Sequence, residues 1–371
     1  MGKELPAGSN RELFCTSAMN FDVIVVGTSS EALEAAVAAG RLGSRVALVE
    51  PWMSDWFAPG GAPQWLQRMR DSIASCTRTV FPDSPRRRTS DGLPTPAVLA
   101  EEAVEREACA HRVVQQRLDR LKVQSFSGKL RFLEGEELSL QSAGREVRLR
   151  SPVKILATGS RTDMPAWAPA DGTRVFSVDE VSTLREIPRS LMIVGGGATG
   201  LEASFLFSLL GTRVTLIDRR HRLPIGPGVS GSAIVRQLQR LGVRVLLDSE
   251  VTMSTKNPDG TVTVELLSGD RLSSERLMVT TERRGRTADL GLEELGVRLD
   301  ERSRLWCNEH LQTWCSGLVG LGDVVGHPRE LAESPLAPRE LVWFLLGHSP
   351  DRTSSENNRP IPVPLSSTGG K

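Results

Sequence analysis

The chain has 371 residues, of which 39% are hydrophobic, and 46 basic against 45 acidic side chains give it a formal charge of +1. This length predicts at least two domains, and the balanced charge excludes a net field that would hold nucleic acid or an anionic membrane. No apolar run approaches the roughly 20 residues of a membrane span, and residues 1–20 lack the apolar centre of a signal peptide, so we expect a cytoplasmic protein.

The first predicted elements form a strand, a helix and a second strand, after a flexible N-terminus over residues 1–19. The apolar run 21–26 ends at Gly27 and is typical of a buried parallel strand. A helical pattern over 31–42 stops at Gly43, and a second strand over 45–49 ends at Glu50. This βαβ order predicts a dinucleotide-binding type of unit.

The middle of the chain predicts connecting structure. Residues 82–96 are charged and rich in helix breakers, which indicates a solvated linker. Residues 97–121 have apolar side chains at near-helical intervals and predict an amphipathic helix that leads into hairpin strands over 121–156. At the other end, residues 348–371 are rich in Pro, Ser and Asn and predict a disordered tail.

The βαβ unit then recurs. A strand over 190–194 leads to Gly195, a helix runs to Leu210, and a strand over 211–217 ends at Asp218. The acid follows the first glycine by 23 residues in both units. Two glycine motifs with the same spacing, each between a strand and a helix, are much stronger evidence than one.

The glycines of the second unit have separate roles. Gly195 allows the tight turn out of the strand, Gly197 lets a pyrophosphate approach the backbone, and Gly200 lets the helix and strand pack. The N-terminus of the helix supplies N–H groups and positive dipole to the phosphates. The carboxylate of Asp218 is placed to accept hydrogen bonds from the adenosine ribose.

The first unit departs from this pattern at one position. It retains Gly27, and Ala32 is an accepted replacement for the third glycine, but the second glycine has become Ser29. If that position needs positive φ or a close phosphate approach, the serine costs about 1–3 kcal/mol, and its hydroxyl could offset part of this by donating to the phosphate. A structural unit that has lost its ligand is therefore an open alternative.

Two further motifs give the chain a resemblance to a known family. Residues 153–161 resemble the strand and A-T-G-S turn, here containing Gly159, of the two-dinucleotide-domain flavoproteins, the class I pyridine nucleotide-disulfide oxidoreductases. Residues 313–323, ending in Gly322 and Asp323, resemble the second FAD motif of that family. Within it, Gly322–Pro328 and Asp218–Leu223 are most similar to the soluble pyridine nucleotide transhydrogenases.

This resemblance implies an α/β fold of two Rossmann-like three-layer domains, one inserted in the other. An FAD-binding-type domain would comprise residues 20–165 and 285–347, and an NAD(P)-binding domain residues 166–284. FAD would contact Gly27, Ser29, Ala32, Glu50, Gly159, Gly322 and Asp323. NAD or NADP would contact Gly195, Gly197, Gly200, Glu202, Asp218, Arg219 and Arg220.

The chemistry of the disulfide reductases in that family is missing from the sequence. Residues 60–72 match the family's redox segment but have Pro63 and Arg68 where the two cysteines would stand, and Ser72 where a lysine would pair with the glutamate matched by Glu202. The five cysteines and five histidines predict neither a disulfide framework nor a metal site. The usual C-terminal dimerisation domain of the family is also expected to be absent.

Two functions remain open at this point. One is an FAD-dependent NAD(P)H oxidoreductase that resembles the transhydrogenases, moves hydride between NAD(P)H and flavin without a redox disulfide, and passes electrons to an unknown acceptor. We nominate no catalytic acid or base for it. The other is a catalytically inactive relative that binds NAD(P) as a sensor or scaffold. Asp218 favours NAD, whereas Arg219, Arg220 and Arg222 are suited to the 2′-phosphate of NADP, and NAD is the preferred prediction.

Overall fold

The structure is a computed structural model that describes residues 18–51, 112–142, 144–184, 186–223, 230–327 and 337–347. Several sequence predictions fall outside these residues: the flexible N-terminus up to residue 17, the altered redox segment 60–72, the linker 82–96, the first part of the amphipathic helix and the C-terminal tail. Residues 112–120 of that predicted helix are described and are helical.

The described residues contain a mixture of helices and strands. The helices are α1 (Ser30–Arg41), α2 (residues 112–120), α3 (Ala198–Leu209), α4 (Gly231–Arg240) and α5 (Pro338–Leu345). The strands of the first half are β1 (Met19–Asn20), β2 (Val23–Val26), β3 (Val46–Pro51), β4 (Gln124–Phe132), β5 (Glu137–Ser142), β6 (Arg145–Arg150), β7 (Val153–Leu156), β8 (Ser160–Thr162), β9 (Val175–Ser177) and β10 (Ser190–Val194). Those of the second half are β11 (Arg213–Ile217), β12 (Arg244–Leu246), β13 (Val251–Lys256), β14 (Val262–Leu266), β15 (Arg271–Ser274), β16 (Arg276–Val279), β17 (Arg283–Gly285), β18 (Leu305–Trp306), β19 (Leu318–Gly320) and β20 (Val325–His327). Three short 3₁₀ helices span Val178–Thr183, Glu293–Leu295 and Gly322–Val324.

The larger sheet has the strand order β1-β6-β5-β4-β3-β2-β7-β19. The five strands β4-β3-β2-β7-β19 are parallel to one another. On the other side of β4, the strands β4, β5 and β6 form an antiparallel meander. Every residue of β2 is buried, which is what its unbroken Val and Ile run predicts for a central parallel strand. Helix α1 buries its alanine face against this sheet and contacts α5.

The second sheet is parallel throughout, with the order β12-β11-β10-β16-β9. One face carries α3 and α4, whose apolar side chains form a core with the sheet around Phe207 and Leu216. The other face packs against the antiparallel sheet β13-β14-β15 through a separate core that includes Met192 and Val264. These layers confirm the predicted α/β class with two Rossmann-like domains.

A two-stranded antiparallel sheet of β8 and β17 connects the two larger sheets in sequence. β8 follows β7 of the first sheet, and β17 follows β16 of the second. The chain thus leaves and re-enters the first sheet at adjacent positions. The insertion of residues 166–284 into residues 20–165 and 285–347 stays a prediction, and it is compatible with this strand pairing.

Candidate dinucleotide-binding sites

The sequence motifs of the first unit meet at one edge of the larger sheet. In the parallel pairing, the last residue of β2, Val26, is level with Val49 of β3 and Leu156 of β7, and Leu156 is level with Gly320 of β19. The residues that follow these strands therefore lie at the same carboxyl edge. They include Gly27, Gly159, Gly322 and Asp323, and Glu50 lies beside them near the end of β3.

The second sheet places its motif in the same way. Val194 of β10 is level with Ile217 of β11 and Val279 of β16. Gly195 and Asp218, which follow the first two of these strands, lie next to each other at the carboxyl edge. Ligands of open parallel sheets bind at this edge, so the edge of each sheet is a candidate site.

The first glycine of each turn is required by close backbone contact. Gly27 has φ +129°, and a Cβ there would lie 2.2 Å from the carbonyl oxygen of Ala157. Gly195 has φ +116°, and a Cβ there would lie 2.7 Å from Oγ1 of Thr280. Each turn passes directly over the neighbouring strand, and a side chain at either glycine would separate the two.

The second position has the same backbone conformation in both turns. Ser29 has φ −63° and ψ 166°, and Gly197 has φ −71° and ψ 177°, so neither residue needs the left-handed region. The strain that positive φ would have imposed on Ser29 is therefore absent. A Cβ at Gly197 would meet no atom of the described residues within 4 Å, which leaves the approach to the turn open.

The side chain of Ser29 is instead used as a helix cap. Its Oγ accepts a hydrogen bond of 3.2 Å from the backbone N–H of Ala32. This N–H is one of the first N–H groups of α1, which have no partner within the helix and would otherwise be available to a phosphate. Ala32 itself is fully buried, so its methyl group fits where the second turn has Gly200.

Glu31 in the first turn of α1 was not singled out from the sequence. Its side chain lies over Gly322, since the Glu31 Cδ is 3.5 Å from the point that a Cβ at Gly322 would occupy. Ser30 donates a hydrogen bond of 3.1 Å to Oε2 of the same carboxylate. A negative charge at this end of a helix is favourable for the helix. It also places a carboxylate at the N-terminus of α1, the helix end that attracts anions.

Asp323 follows Gly322, which has φ +73°. The Asp323 side chain is 66% exposed at the carboxyl edge of the first sheet, so its carboxylate is accessible to a ligand. Its Oδ2 accepts a hydrogen bond of 3.1 Å from Oγ of Ser160, the residue after Gly159. The structure therefore brings the two later sequence motifs of the first unit into direct contact.

Asp218 is buried and occupied by protein donors. Its side chain is 2% exposed, and its carboxylate accepts hydrogen bonds from the N–H of Gly196 and from the backbone N–H, Nε and Nη2 of Arg220. Burial raises the pKa of Asp218, but these hydrogen bonds outweigh burial and leave the pKa below its ordinary value. The sequence predicts that Asp218 accepts a hydrogen bond directly from a ribose hydroxyl. For that to happen, Arg220 would have to give up one of its hydrogen bonds to the carboxylate.

The arginines after Asp218 face outward. Residues 219–222 are all exposed, and Arg219 forms an exposed ion pair of 3.7 Å with Glu282. Arg219 also lines a depression of about 440 Å³ together with Asp248, Ser249 and Glu250. This depression lies beside Asp218, whose backbone oxygen accepts a hydrogen bond of 3.0 Å from the N–H of Ser249.

The two remaining predicted acids are Glu50 and Glu202. Glu50 lies at the end of β3, in register with Ser127 of β4. Glu202 lies in α3, two residues after Gly200, and is half-buried. Both occupy the places that the sequence pattern predicts, at the carboxyl edge of the first sheet and on the helix after the second turn.

Arg283 is a further residue at the site that the sequence did not indicate. From β17 it donates to Oγ and the backbone oxygen of Ser160 at 2.7 and 2.8 Å, and to Oδ1 of Asp179 at 3.2 Å. Its Nε also lies 3.8 Å from Oδ2 of Asp323. This side chain connects both larger sheets, a role visible only when the strands are placed together.

The described residues contain no candidate metal site, and one of their two thiols is unreactive. Among them, no group of His, Cys, Asp and Glu side chains is arranged to hold a metal ion. Cys307 and Cys315 are free thiols, and burial raises the pKa of Cys307 to about 12, which makes it a poor nucleophile. In the same part of the chain, no helix is long and apolar enough to cross a membrane.

The fold and the two glycine turns define a protein with two dinucleotide-binding domains. The family model for pyridine nucleotide-disulphide oxidoreductases matches residues 21–337. The chain therefore belongs to this family, as its motifs predict. FAD and NAD or NADP are the cofactors of the family.

Curated relatives share the same family. A soluble pyridine nucleotide transhydrogenase of Mycobacterium bovis is 28% identical over 342 residues, which cover 89% of this chain and 72% of the relative. A soluble pyridine nucleotide transhydrogenase of Chromohalobacter salexigens is 30% identical over 317 residues, covering 83% of this chain and 67% of the relative. The predicted resemblance to these transhydrogenases is confirmed.

Solved structures show the same fold. LpdA from Mycobacterium tuberculosis superimposes with a TM-score of 0.73 at 19% identity, covering 89% of this chain and 74% of its own. A Cu(II) complex of the HOCl-induced flavoprotein disulfide reductase RclA from Escherichia coli gives a TM-score of 0.70 at 18% identity, covering 88% of this chain and 69% of its own.

The two turns fit their family cofactors to different degrees. The second turn fits a dinucleotide pyrophosphate, because Gly197 leaves the space in front of the N-terminus of α3 open. The first turn fits in its backbone, because Gly27 and Gly322 have positive φ and Ser29 has the conformation of Gly197. The carboxylate of Glu31 at the N-terminus of α1 opposes that fit, and Ser29 occupies one N–H group of the same terminus.

Proposed function

We propose that this protein is an FAD-dependent NAD(P)H oxidoreductase similar to the soluble pyridine nucleotide transhydrogenases, acting without a redox disulfide. When bound, FAD supplies the ring that accepts hydride from NAD(P)H and passes it on. The observation that carries the proposal is the convergence of Gly27, Gly159 and Asp323 at one sheet edge, with a second complete glycine turn in the other sheet.

The chain's own residues would position the two cofactors. The turn from Gly27 to Ala32 and the carboxylate of Glu50 would hold the adenosine diphosphate half of FAD, and Asp323 would accept from its ribityl hydroxyls. Gly195, Gly197, Gly200 and the N-terminus of α3 would hold the pyrophosphate of NAD or NADP, with Glu202 toward the nicotinamide end. Arg219 and Arg220 would face the adenosine ribose.

The absence of a redox disulfide is proposed from Pro63 and Arg68, which replace the expected cysteines. Hydride exchange between a nicotinamide and a flavin does not require those sulfurs. The electron acceptor is left open, and a cytoplasmic location stays a prediction. A transhydrogenase reaction would use a second nicotinamide nucleotide as the acceptor.

The alternative is an inactive relative that binds NAD(P) alone and serves as a sensor or scaffold. The capping bond from Ala32 to Ser29 and the carboxylate of Glu31 favour it, since both act against phosphate at the first turn. The second turn shows no corresponding change at Gly197. The two functions therefore differ in whether FAD binds.

Reconstitution with FAD distinguishes the two functions. The purified chain is titrated with FAD at equilibrium and is expected to perturb the visible absorption bands and fluorescence of the flavin as it binds, and anaerobic NADH or NADPH should bleach those bands. The Asp323→Asn variant, which keeps the shape of the side chain, should retain less flavin. A chain that binds NADH but no FAD at any concentration in this titration would contradict the flavin function and favour the alternative.

A further inference from the structure

The two nucleotide turns differ in charge at one matched position. The first turn of α1 carries Glu31, and the matching residue in the first turn of α3 is Thr199. The N-terminus of each helix presents positive dipole at the position where a pyrophosphate would bind. In the glycine turn of the second unit, residues 195–200, the positive end of α3 faces open space at Gly197. In the glycine turn of the first unit, residues 27–32, the positive end of α1 already has the carboxylate of Glu31 beside it.

The side chain of Glu31 is held at the site rather than extended away from it. Its Cβ, Cγ and Cδ all lie within 4 Å of the position of a Cβ on Gly322, and its Oε2 accepts from Oγ of Ser30. The carboxylate thus lies between the N-terminus of α1 and the turn that carries Asp323. A ligand phosphate at this helix end would meet Glu31 at close range.

Ser29 also reduces what the N-terminus of α1 can offer to a phosphate. Its Oγ takes the N–H of Ala32, so one donor of the helix terminus is satisfied within the protein. Asp323 lies at the same edge, with Nε of Arg283 at 3.8 Å from its Oδ2. The first glycine turn therefore combines a backbone shaped for a dinucleotide with the negative charge of Glu31 at the N-terminus of α1.

We propose that Glu31 sets the affinity of the first turn for FAD, and that its carboxylate makes flavin an exchangeable ligand rather than a tightly held one. This inference rests on the proposed function, because it assumes that FAD is the ligand of this turn. Repulsion between a carboxylate and a pyrophosphate at the same helix terminus is substantial at the effective dielectric of a protein surface. Removal of the charge should tighten FAD binding.

The test is an FAD titration of the full-length apoprotein followed by flavin fluorescence. Glu31→Gln, which keeps the size of the side chain, and Glu31→Thr, which copies Thr199, are both expected to lower the Kd for FAD by about tenfold. The Kd for NADH should stay unchanged, because the second turn is untouched. Glu34→Gln, an exposed site on the same helix, is the matched control and should leave both values unchanged.

Salt provides a second measurement. Raising the ionic strength screens like-charge repulsion, so the difference in FAD affinity between the wild-type chain and Glu31→Gln should narrow. Adding Ser29→Gly to Glu31→Gln should tighten FAD binding further, because the N–H of Ala32 is then released.

The outcomes separate this inference from the function on which it rests. If the wild-type chain and both Glu31 variants bind FAD with equal Kd, the role of Glu31 is overturned while the flavin function stands. If Glu34→Gln tightens FAD as much as Glu31→Gln, a general charge effect replaces the proposed one. If neither the wild-type chain nor the double variant binds FAD, both this inference and the flavin function are overturned.

Discussion

Single residues decide how well each turn accepts a nucleotide. The replacement of a glycine by Ser29 is visible in the sequence, but its consequence depends on backbone conformation. Because φ at Ser29 is −63°, the serine introduces no backbone strain, and its effect comes from the hydroxyl that caps Ala32. The sequence does not indicate a functional role for Glu31, since acidic residues are common in the first turn of a helix. In the structure, the Glu31 side chain lies against Gly322, next to Asp323.

Arg220 should decide the cofactor preference of the second turn. Its guanidinium pairs with the buried Asp218 at 2.9 Å and remains 47% exposed, so it shields that carboxylate from a ligand. Arg220→Ala would leave the negative charge of Asp218 unshielded and remove a partner for the 2′-phosphate. We expect the Kd for NADPH to rise by about tenfold or more, and the Kd for NADH to change less.

Isothermal titration with both nucleotides measures this difference. Arg213 is exposed at the start of β11, the strand that leads to Asp218. Arg213→Ala is therefore the control and should change neither Kd. Equal weakening of NADH and NADPH by Arg220→Ala would contradict the prediction, because it would indicate a general collapse of the turn. The preference for NAD, which weighs Asp218 against the neighbouring arginines, stays a prediction.

The same carboxylate gives the turn a defined pH dependence. Hydrogen bonds hold the pKa of Asp218 below its ordinary value, and the unfolded chain has an Asp pKa of about 3.9. The contribution of Asp218 to stability is therefore complete above the unfolded value, and it is lost as the pH falls through the folded pKa.

At the scale of elements, β7 contains an unusual buried lysine. Lys154 is 2% exposed, in the strand next to the β19 edge of the larger sheet, and its Nζ donates to the carbonyl oxygen of Gly135 at 2.8 Å. Burial lowers the pKa of Lys154, while Cys315 and Glu136 act in the opposite direction. Gly135 itself is exposed, so water can satisfy its carbonyl group if the lysine is removed.

Lys154→Met should therefore stabilise the protein. Replacing a buried charge by an apolar side chain of similar shape removes a desolvation cost, and we expect the free energy of unfolding to rise by about 1 kcal/mol. Urea denaturation followed by circular dichroism measures the change. Lys129→Met, on the exposed side of β4, serves as the control and should have little effect. A lower urea midpoint for Lys154→Met would show that the ammonium group is needed.

At the scale of the whole molecule, the two sheets are joined through Arg283. Asp179 follows β9 of the second sheet and is 6% exposed in its ion pair with Arg283. Arg283 also contacts Ser160 and Asp323 at the edge of the first sheet. A side chain that links the two domains in this way is expected to fix their relative position as well as the orientation of Asp323.

Arg283→Gln tests this connection. It would leave the carboxylate of Asp179 buried without its cation, and we expect a loss of about 2 kcal/mol of stability, with faster hydrogen exchange in residues 160–162 and 283–285. Arg284→Gln is the matched control, because its partner Asp163 lies in an ion pair of which both side chains are more than one-third exposed. That pair should contribute less than about 1 kcal/mol. Equal losses from the two variants would contradict a special role for Arg283.

The sequence by itself determined the fold class, the two βαβ units and the family, because these depend on patterns that are local in the chain. An apolar run, a turn glycine and an acid 23 residues later identify a nucleotide-binding unit without knowledge of its neighbours. Contacts between distant segments required the tertiary structure. The close approach of Ala157 is the reason that position 27 must be a glycine. The Glu31 side chain lies against Gly322, and Arg220 donates hydrogen bonds to the carboxylate of Asp218. Charge and close contact at a site depend on three-dimensional distance, which sequence separation does not encode.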